Sequence, residues 1–316
     1  TAVCSRNMKK AEGFAAQYGV KPYDDLSTMI RNQNIEMLVV CTPHPFHKDP
    51  VVASAKLGVH SLIEKPLASS LSDCDSMLEA AYKYDVKLGV VSQRRFYEPV
   101  KRMKQAIDNE KIGIPVLGHV IMYGWRDKKY YESDPWRGTW DQEGGGVLVN
   151  QAPHQLDLFQ GFMGEIEELY GVWRNLNHPY IEVEDTAVAT VKFKGNAIGN
   201  ILVSNSQKPG IYGKVHVTGS NGSTVGAQTE GGEMFIAGST NIQEPPVNDI
   251  WTIPGEEDKL EQWKNEDHDL FNHINATEYY IQLQDEDFCL ALVNNRAPIL
   301  PAIEGRVTVE LFTAIY

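Results

Sequence analysis

The chain has 316 residues, of which 42% are hydrophobic, and a formal net charge of −13 at pH 7. This length suits two domains of ordinary size. The acidic balance argues against a protein that binds nucleic acid or an anionic membrane through basic patches, and no apolar run approaches the roughly 20 residues of a membrane helix.

The first third of the chain alternates strands with helices. The segments between the strands have apolar residues at helical spacing, and the strands themselves are TAVCSR at 1–6, EMLVVCTP at 36–43, HSLIEKP at 60–66 and KLGVVSQ at 87–93. A continuous apolar run such as that in 36–43 is typical of a parallel strand buried on both faces. The pattern predicts βαβ units and an α/β fold with a Rossmann-type doubly wound parallel sheet.

After Gly113 the pattern changes to alternating apolar and polar residues with Gly and Asn turns, which predicts an antiparallel sheet with one covered face. We expect one helix over 147–163, another over 268–295, and an irregular acidic surface over 226–268. The prediction is therefore a dinucleotide-binding domain at 1–112 and an α+β domain with a large, mainly antiparallel open sheet at 113–316.

Four cysteines, Cys4, Cys41, Cys74 and Cys289, lie far apart and form no Cys-x-x-Cys pair. This pattern is typical of buried free thiols in a reducing compartment. We therefore expect a cytoplasmic protein with neither a disulfide framework nor a zinc site.

Polar side chains end three of the predicted parallel strands. A single lysine there is most simply a strand that turns into solvent. Ligands of a doubly wound sheet bind at the carboxyl ends of its strands, so several polar ends in one sheet favour a binding site. These ends are Ser5-Arg6, Thr42-Pro43-His44 and Glu64-Lys65-Pro66.

Arg6 bears on the choice of cofactor. If 1–6 is the second strand of a dinucleotide fold, its end faces the adenosine ribose, where an arginine tolerates a 2′-phosphate that an acid would repel. The Gly-x-Gly-x-x-Gly turn would then lie roughly 30 residues earlier, and no such motif follows a strand and opens a helix in this sequence. We expect NAD or NADP as cofactor, and a longer protein whose first βα unit is not in the sequence.

The segment EGGGVLVNQAPHQLDL at 143–158 combines glycines with polar residues. On one helix, Asn150 and His154 would share a face because they are four residues apart. The glycines permit close approach of another backbone or of a cofactor ring. His154 can equally be a structural histidine that follows Pro153.

Two further groups each allow two interpretations. His44 and His47 could form a metal pair, but no further ligands are evident, and we expect no metal site. Trp136 and Arg137 suit the face and hydroxyls of a sugar, and they suit ordinary packing equally.

Two segments, VVCTPHPFHKDPVVASAKLGVHSLIEKPLA at 39–68 and GGGVLVNQAPHQLDL at 144–158, closely resemble the two signatures of the glucose–fructose oxidoreductase / inositol dehydrogenase / MocA family. The segments at 184–193 and 279–311 look like later parts of the same family, in the same order. The resemblance covers nearly the whole chain.

The resemblance implies an enzyme that transfers a hydride between NAD(P) and a hydroxyl of a sugar, inositol or sugar nucleotide. It implies catalytic roles for Lys65 and His154, with Asn150 at a position where the family commonly has Asp. Asn cannot take a proton, so Asn150 can only orient the substrate. The second domain would bind substrate and form a homo-dimer or homo-tetramer through its sheet.

The residues expected at the site follow from the strand ends and from the resemblance. Cofactor contacts are expected from Ser5, Arg6, Thr42, Pro43, His44, His47, Glu64, Lys65 and Gln93. Substrate contacts are expected from Arg94, Trp136, Arg137, Asn150, His154 and Tyr280. An NAD-dependent glycosidase of the same fold and a non-catalytic sensor of dinucleotide or sugar remain as alternatives, although the presence of both Lys65 and His154 argues against the sensor.

Overall fold

The computed structural model describes residues 1–208, 212–231 and 244–316, without the side chains of residues 230 and 231. Within these residues the chain forms two compact units. The first contains Thr1–Val91 and Phe288–Arg306, and the second contains Ser92–Asp287 and Val307–Tyr316.

The first unit alternates short parallel strands with helices, which confirms the predicted Rossmann-type organisation. Its strands form a β1–β2 pair and a β3–β4–β5 sheet: β1 (Ala2–Cys4), β2 (Lys21–Tyr23), β3 (Met37–Val40), β4 (His60–Ile63) and β5 (Leu88–Val90). The helices are α1 (Met8–Tyr18), α2 (Leu26–Gln33), α3 (Lys48–Ala55) and α4 (Leu71–Tyr84). The sequence does not predict β2, because its three residues show no apolar alternation.

Side-chain caps fix where three of these helices begin. Asn7, Asp25 and Ser70 each accept a hydrogen bond from the backbone N–H three residues later, at the start of α1, α2 and α4. Such a cap satisfies one of the N–H groups that the first helical turn leaves without a partner. The Asn7 cap therefore sets where α1 begins after β1.

The second unit is built on a seven-stranded sheet in the order β12-β11-β10-β6-β9-β8-β7. All neighbours pair antiparallel except β6 and β9, which pair parallel, so the predicted mainly antiparallel sheet is confirmed. The strands are β6 (Pro115–Tyr123), β7 (Ile166–Arg174), β8 (Thr186–Phe193), β9 (Ile198–Ser204), β10 (Tyr212–Gly219), β11 (Thr224–Gly231) and β12 (Val247–Trp251).

One face of this sheet is covered. Along β8 every second side chain is buried, namely Ala187, Ala189, Val191 and Phe193. Phe159 packs on Phe193 with 5.3 Å between ring centroids. The remaining helices are α5 (Glu98–Asp108), α6 (Lys128–Glu132), α7 (Val147–Asn150), α8 (Pro153–Met163), α9 (Lys259–His273), α10 (Ala276–Val293) and α11 (Ala302–Ile315), and none of the described helices is long and apolar enough to cross a membrane.

The compact units differ from the predicted domains in two places. Helix α5 belongs to the second unit, where Asn248 donates a hydrogen bond to the Pro99 carbonyl and Arg102 pairs with Asp267. Residues 288–306 belong to the first unit, where Phe288 packs on Leu62 and Val91. Both differences come from contacts between residues distant in sequence, which a change of local pattern at Gly113 cannot reveal.

Three predicted elements are wrong in detail. The helix expected over 147–163 is two helices, because Pro153 has no N–H for the helical ladder and starts α8 afresh. The helix expected over 268–295 is interrupted at Ile274, whose extended backbone ends α9. The surface expected to be irregular over 226–268 contains part of β11, β12 and part of α9, while residues 232–243 of it lie outside the described residues.

The cysteines correct a further expectation. Cys74 is buried, but Cys41 and Cys289 are exposed and Cys4 is half-buried. Of the four cysteines predicted to be buried, only Cys74 is buried.

Candidate active site

Two of the three polar strand ends of the first unit lie along one sheet edge, whereas Ser5-Arg6 follows β1, which pairs with β2 in a separate sheet. Since β3 and β4 are parallel neighbours, Thr42-Pro43-His44 and Glu64-Lys65 follow them at the same carboxyl edge. Lys65 is half-buried, its backbone N–H donates to Glu64 Oε2 at 3.0 Å, and the Lys65–Pro66 peptide bond is cis. The Glu64 carboxylate is therefore turned back toward its own chain.

His47 ties these two strand ends together. Its ring is fully buried, with Nε2 2.7 Å from the Thr42 carbonyl oxygen and Nδ1 3.1 Å from that of Leu67. Burial lowers the pKa of His47, while the two carbonyls oppose that shift. Both ring nitrogens are thus directed at main-chain oxygens of the protein, and the ring of His44 lies 6.2 Å away.

Arg6 and Phe46 form an exposed pair in the first unit. The guanidinium carbon of Arg6 lies 5.0 Å from the centroid of the Phe46 ring. Thr42 Oγ1 donates to the Phe46 carbonyl at 2.9 Å, and Ser5 Oγ accepts from the N–H of Asn7 at 3.3 Å. These contacts join the segments after β1 and β3 through a planar cation and an aromatic face.

In the second unit, Gly146, the last residue of the glycine run 144–146, packs against Glu184. The N–H groups of Gly146 and Leu148 donate to the Glu184 carboxylate at 2.9 and 3.0 Å. A Cβ on Gly146 would lie 1.7 Å from the Glu184 carbonyl oxygen, so only glycine fits there. The close approach that the sequence predicts at this run is the approach of another backbone.

Tyr316 completes the surroundings of Glu184. Its hydroxyl donates to Glu184 Oε1 at 2.8 Å, and its ring packs edge-on against Trp140 and Trp173, with centroids 5.2 and 5.6 Å away. Burial raises the pKa of Glu184, and the surrounding donors oppose that shift. The segment that leads to Asn150 is therefore held by a buried carboxyl group.

Replacing Tyr316 with phenylalanine should lower the free energy of unfolding by about 1–2 kcal/mol, because a buried carboxyl oxygen loses one of its donors. Urea unfolding of Tyr316→Phe measures this, with Tyr170→Phe, at an exposed tyrosine, as control. Equal stability of Tyr316→Phe and the parent protein would show that the hydroxyl contributes nothing.

Asn150 is held by two side chains that the sequence did not single out. Its amide nitrogen donates to Glu143 Oε1 and to the hydroxyl of Tyr130, the latter at 3.2 Å. Glu143 is 1% exposed, and its Oε2 accepts from the N–H of Gly138 at 2.5 Å. Burial raises the pKa of Glu143 to about 7, against the hydrogen bonds from Gly138 and Asn150.

Tyr130 connects Asn150 with the predicted substrate residues of 136–137. Its hydroxyl also accepts from Arg137 at 2.5 Å and from Gln151 at 3.0 Å. The Arg137 guanidinium carbon lies 4.3 Å from the Tyr130 ring centroid and 4.4 Å from that of Trp136. Trp136, Arg137 and Asn150 thus belong to one polar group built around Tyr130.

The other predicted residues of the second unit lie in different contacts. His154 is 6% exposed and is the second residue of α8, beyond the break after Asn150. Asp157, one turn later, accepts from Ser92 at 2.7 Å and pairs in bidentate fashion with Arg95. Asp157 therefore holds α8 against the segment that contains Ser92 and Arg95.

Gln93, Arg94 and Tyr280 complete the predicted set. Gln93 and Arg94 lie in a 3-10 turn at 93–96, and burial lowers the pKa of Arg94 to about 10. Tyr280 is buried, and its hydroxyl donates to Glu98 at 3.1 Å. Among the described residues, no group of three or more His, Cys, Asp or Glu side chains could hold a metal ion.

Two family models match most of the chain. Residues 1–92 match a model described as an oxidoreductase family with an NAD-binding Rossmann fold, and residues 100–225 match the GFO/IDH/MocA C-terminal domain.

Among curated proteins, the myo-inositol 2-dehydrogenase of Thermotoga maritima is 33% identical over 224 residues, which cover 69% of this chain and 62% of that protein. The 2,7-anhydro-N-acetylneuraminate hydratase of Escherichia coli is 26% identical over 243 residues, which cover 75% of this chain and 64% of that protein. The match thus spans less than two thirds of the length of either relative.

Among solved structures, the WlbA dehydrogenase from Bordetella pertussis superimposes with a TM-score of 0.82 at 27% identity. The match covers 100% of this chain and 86% of that one, and that structure is a complex with NADH and UDP-GlcNAcA.

Proposed function

We propose, from the premise that this chain belongs to the GFO/IDH/MocA family of oxidoreductases, that it is an NAD(P)-dependent dehydrogenase of a sugar, inositol or sugar nucleotide. The observation that carries the proposal is the polar group around Asn150, followed by the buried His154, in a chain whose first 92 residues match an NAD-binding fold. An immobilised polar group of this kind suits the orientation of a hydroxylated substrate.

The strand ends of the first unit fit a dinucleotide. Ligands of parallel sheets bind at this edge, and the exposed Arg6–Phe46 pair offers a cation and an aromatic face to an adenosine moiety. We assign Thr42, Pro43, His44 and Glu64 to the same cofactor, with His47 as the brace behind them. The nicotinamide, when bound, exchanges a hydride with the substrate carbon.

The protein's own residues handle the proton and the charge. We assign His154 to accept the proton of the substrate hydroxyl as that carbon is oxidised. The ammonium group of Lys65 stabilises the negative charge that develops on the oxygen. Asn150 orients the substrate, and the stacked Trp136 and Arg137 suit a sugar ring and its hydroxyls.

A homo-oligomer formed through the second unit's sheet is part of the proposal. Three exposed apolar side chains are neighbours on the outer face of β7 and β8: Tyr170 at 75%, Val172 at 43% and Val188 at 47%, with Val172 directly opposite Val188. Apolar groups side by side on a sheet are typical of protein–protein contacts.

The cofactor preference leads to a prediction for Arg6. A guanidinium can pair with a 2′-phosphate or stack on adenine, so both NAD and NADP should bind with a weak preference between them. Arg6→Ala should weaken NADP binding more than NAD binding. Titration of both cofactors into the parent protein and the variant gives the four Kd values.

Arg31→Ala, at an exposed arginine of the same unit, is the control. Equal losses for the two cofactors would mean that Arg6 stacks without reading the phosphate. Unchanged affinity for both cofactors would show that Arg6 does not contact the adenosine ribose.

The function itself is tested by a matched substrate screen. The protein is incubated with NAD or NADP and with myo-inositol, free sugars, UDP-GlcNAc or UDP-GlcNAcA, and the absorbance of the reduced nicotinamide is followed. The control is the double variant Lys65→Ala, His154→Asn. Turnover that is absent for every pair, or equal in the double variant, would contradict the proposal.

A second candidate is a reaction without net oxidation, in which the substrate is oxidised only transiently, as in the NAD-dependent glycosidase that the sequence analysis gives as an alternative. The similarity to a protein named as a hydratase favours keeping this candidate. This second candidate predicts that mass spectrometry detects a product while reduced cofactor does not accumulate. A dehydrogenase instead forms one reduced cofactor for each product molecule.

A further inference from the structure

We propose that His178 is a positioning residue that carries a proton on both ring nitrogens in the folded protein, and that its two hydrogen bonds hold the segment on which Tyr130 lies. The kinetic part of this inference rests on the proposed function, because it assumes that Tyr130 supports Asn150 beside a substrate. The part that concerns the protons and the position of Tyr130 needs no substrate.

The ring of His178 lies between two oxygen atoms. Its Nδ1 is 2.7 Å from Asp185 Oδ2, and its Nε2 is 2.7 Å from the Arg126 carbonyl oxygen. The side chains of His178 and Asp185 are both 0% exposed, so bulk water does not compete for these contacts. A neutral imidazole donates from one nitrogen only, and the other would direct a lone pair at an oxygen atom. A doubly protonated ring donates to both oxygens.

The proton between His178 and Asp185 belongs on the ring. Asp185 Oδ2 also accepts from the backbone N–H of Asn177 at 2.8 Å, and its Oδ1 accepts from that of Leu176 at 3.0 Å. Burial alone would raise the pKa of Asp185, but the hydrogen bonds from His178 and from the backbone outweigh burial and lower it. The carboxyl group is therefore ionised, and the buried pair consists of an imidazolium and a carboxylate.

Aromatic rings fill the remaining space around His178. Three ring centroids lie 4.9, 5.5 and 5.7 Å from that of the imidazole: those of Trp125, Tyr131 and Tyr180. Aromatic faces attract a cation, most strongly where water is excluded. This surrounding therefore stabilises the charged ring more than a neutral one.

The charges around this aromatic group favour a cation as well. Burial raises the pKa of Tyr131 and of Tyr180, so both stay neutral near pH 7. The charged groups that act on these two tyrosines include four acids and one base: Asp127, Glu132, Glu143, Asp185 and Arg126. Since acids outnumber the base, the balance favours the protonated form of a histidine among them.

The bond to Arg126 holds the segment that leads to Tyr130. Arg126 lies between the end of β6 and the start of α6, and Asp127 caps α6 by accepting from the N–H of Tyr130 at 2.8 Å. The Tyr130 hydroxyl in turn accepts from three side chains, including that of Asn150. Loss of the bond at the Arg126 carbonyl should therefore shift Tyr130 and the side chains that donate to it.

Two substitutions of His178 remove different halves of the arrangement. In His178→Asn the amide nitrogen can replace Nδ1 and donate to Asp185, but it does not reach the Arg126 carbonyl. In His178→Gln the amide nitrogen can replace Nε2 and donate to Arg126, while the bond to Asp185 is lost. Asn175 binds the backbone N–H and carbonyl of residue 178 at 3.1 and 2.8 Å, so this loop should keep its place in both variants.

The kinetic test compares these two variants. We expect His178→Asn to lower kcat/KM by roughly 10- to 100-fold, because a small misplacement of groups at a reacting centre costs up to about that much. His178→Gln should keep most of the parent activity. A purely structural role would instead make the loss follow the thermal stability of each variant. Equal losses of kcat/KM in two folded variants would overturn the positioning role.

A measurement without substrate tests the number of protons on the ring. In protein with ¹⁵N-labelled histidine rings, the signals of His178 are identified by their loss in His178→Gln. Both of its ring nitrogens should carry a proton at pH 8, where an unperturbed histidine, with a pKa of roughly 6.5, has lost one. A His178 ring with a single proton at pH 8 would overturn the proposal.

The position of Tyr130 is measured in protein with ¹³C-labelled tyrosine rings. Its signals, identified by their loss in Tyr130→Phe, should shift in His178→Asn and stay close to those of the parent protein in His178→Gln. Equal shifts in both variants, or none in either, would contradict the role of the Arg126 bond. If His178→Asn does not fold, a shifted Tyr130 signal in His178→Gln is the result that overturns this role.

The outcomes separate this inference from the proposed function. If no substrate is turned over but the ring carries both protons and Tyr130 responds as expected, the proposed function fails and the inference stands. If a substrate is turned over but the His178 ring carries one proton at pH 8, the inference fails and the proposed function stands.

Discussion

Replacing Lys65 with alanine is expected to lower kcat by roughly 100-fold or more, because removal of a preorganised charge at a developing oxyanion typically costs that much. KM should change less, since the charge on the substrate oxygen develops only in the transition state. Steady-state kinetics with the substrate found in the screen give both constants.

The fold should survive the Lys65→Ala substitution. The turn after β4 is held by His47, whose ring nitrogens lie 2.7 and 3.1 Å from the carbonyl oxygens of Thr42 and Leu67. Circular dichroism and thermal unfolding check this, and Lys56→Ala, at an exposed lysine of the same unit, controls for loss of a charge. Turnover close to that of the parent protein would remove Lys65 from the mechanism.

The first unit could be predicted because its signals are local. The continuous apolar run that ends at Val40 and the run that ends at Ile63 give β3 and β4 directly, and the polar residues after them fall at the expected sheet edge. Burial of β3 on both faces is wrong, because Val39 is 46% exposed and β3 is an edge strand of its sheet. The caps at Asn7 and Asp25 are equally local. Lys65 could therefore be assigned to a strand end from a stretch of ten residues.

The polar group around Asn150 could be predicted only in part. Asn150 and His154 stand out by their spacing, but the partners of Asn150 lie 7 and 20 residues earlier, at Glu143 and Tyr130. Neither contact has a periodic signature. The one available hint was the position of Glu143 directly before three glycines. A lone acid at such a position is usually interpreted as an exposed turn residue, so the hint did not indicate burial.

Distant contacts also explain the missed β12. Trp251 is buried against Trp263 of α9, with 4.8 Å between ring centroids. Val247, Ile250 and Trp251 favour a strand, but Asn248 and Asp249 lie between them and interrupt the apolar pattern. The strand conformation of β12 depends on pairing with β11, which tertiary context supplies.

The same contacts suit an amide better than an acid at position 150. An aspartate at 150 would face the Glu143 carboxyl across a hydrogen bond, and two carboxyl groups that close cannot both be ionised near neutrality. An amide carries no charge, so it avoids this repulsion and still donates to Glu143 and Tyr130. Asn150 and the buried Glu143 are therefore one arrangement, which supports the proposal that His154 accepts the proton.

Replacing His154 with glutamine or asparagine is expected to lower kcat by roughly 100- to 10,000-fold, the usual contribution of a positioned general base. The rate increase on the alkaline side should disappear with it, since neither amide can accept a proton. His154 is 6% exposed, so thermal unfolding must first show that both variants fold. His268→Asn, at an exposed histidine of α9, is the control. A purely structural His154 would lower stability and leave the pH–rate profile of the folded fraction unchanged, and that result would assign the base to another residue.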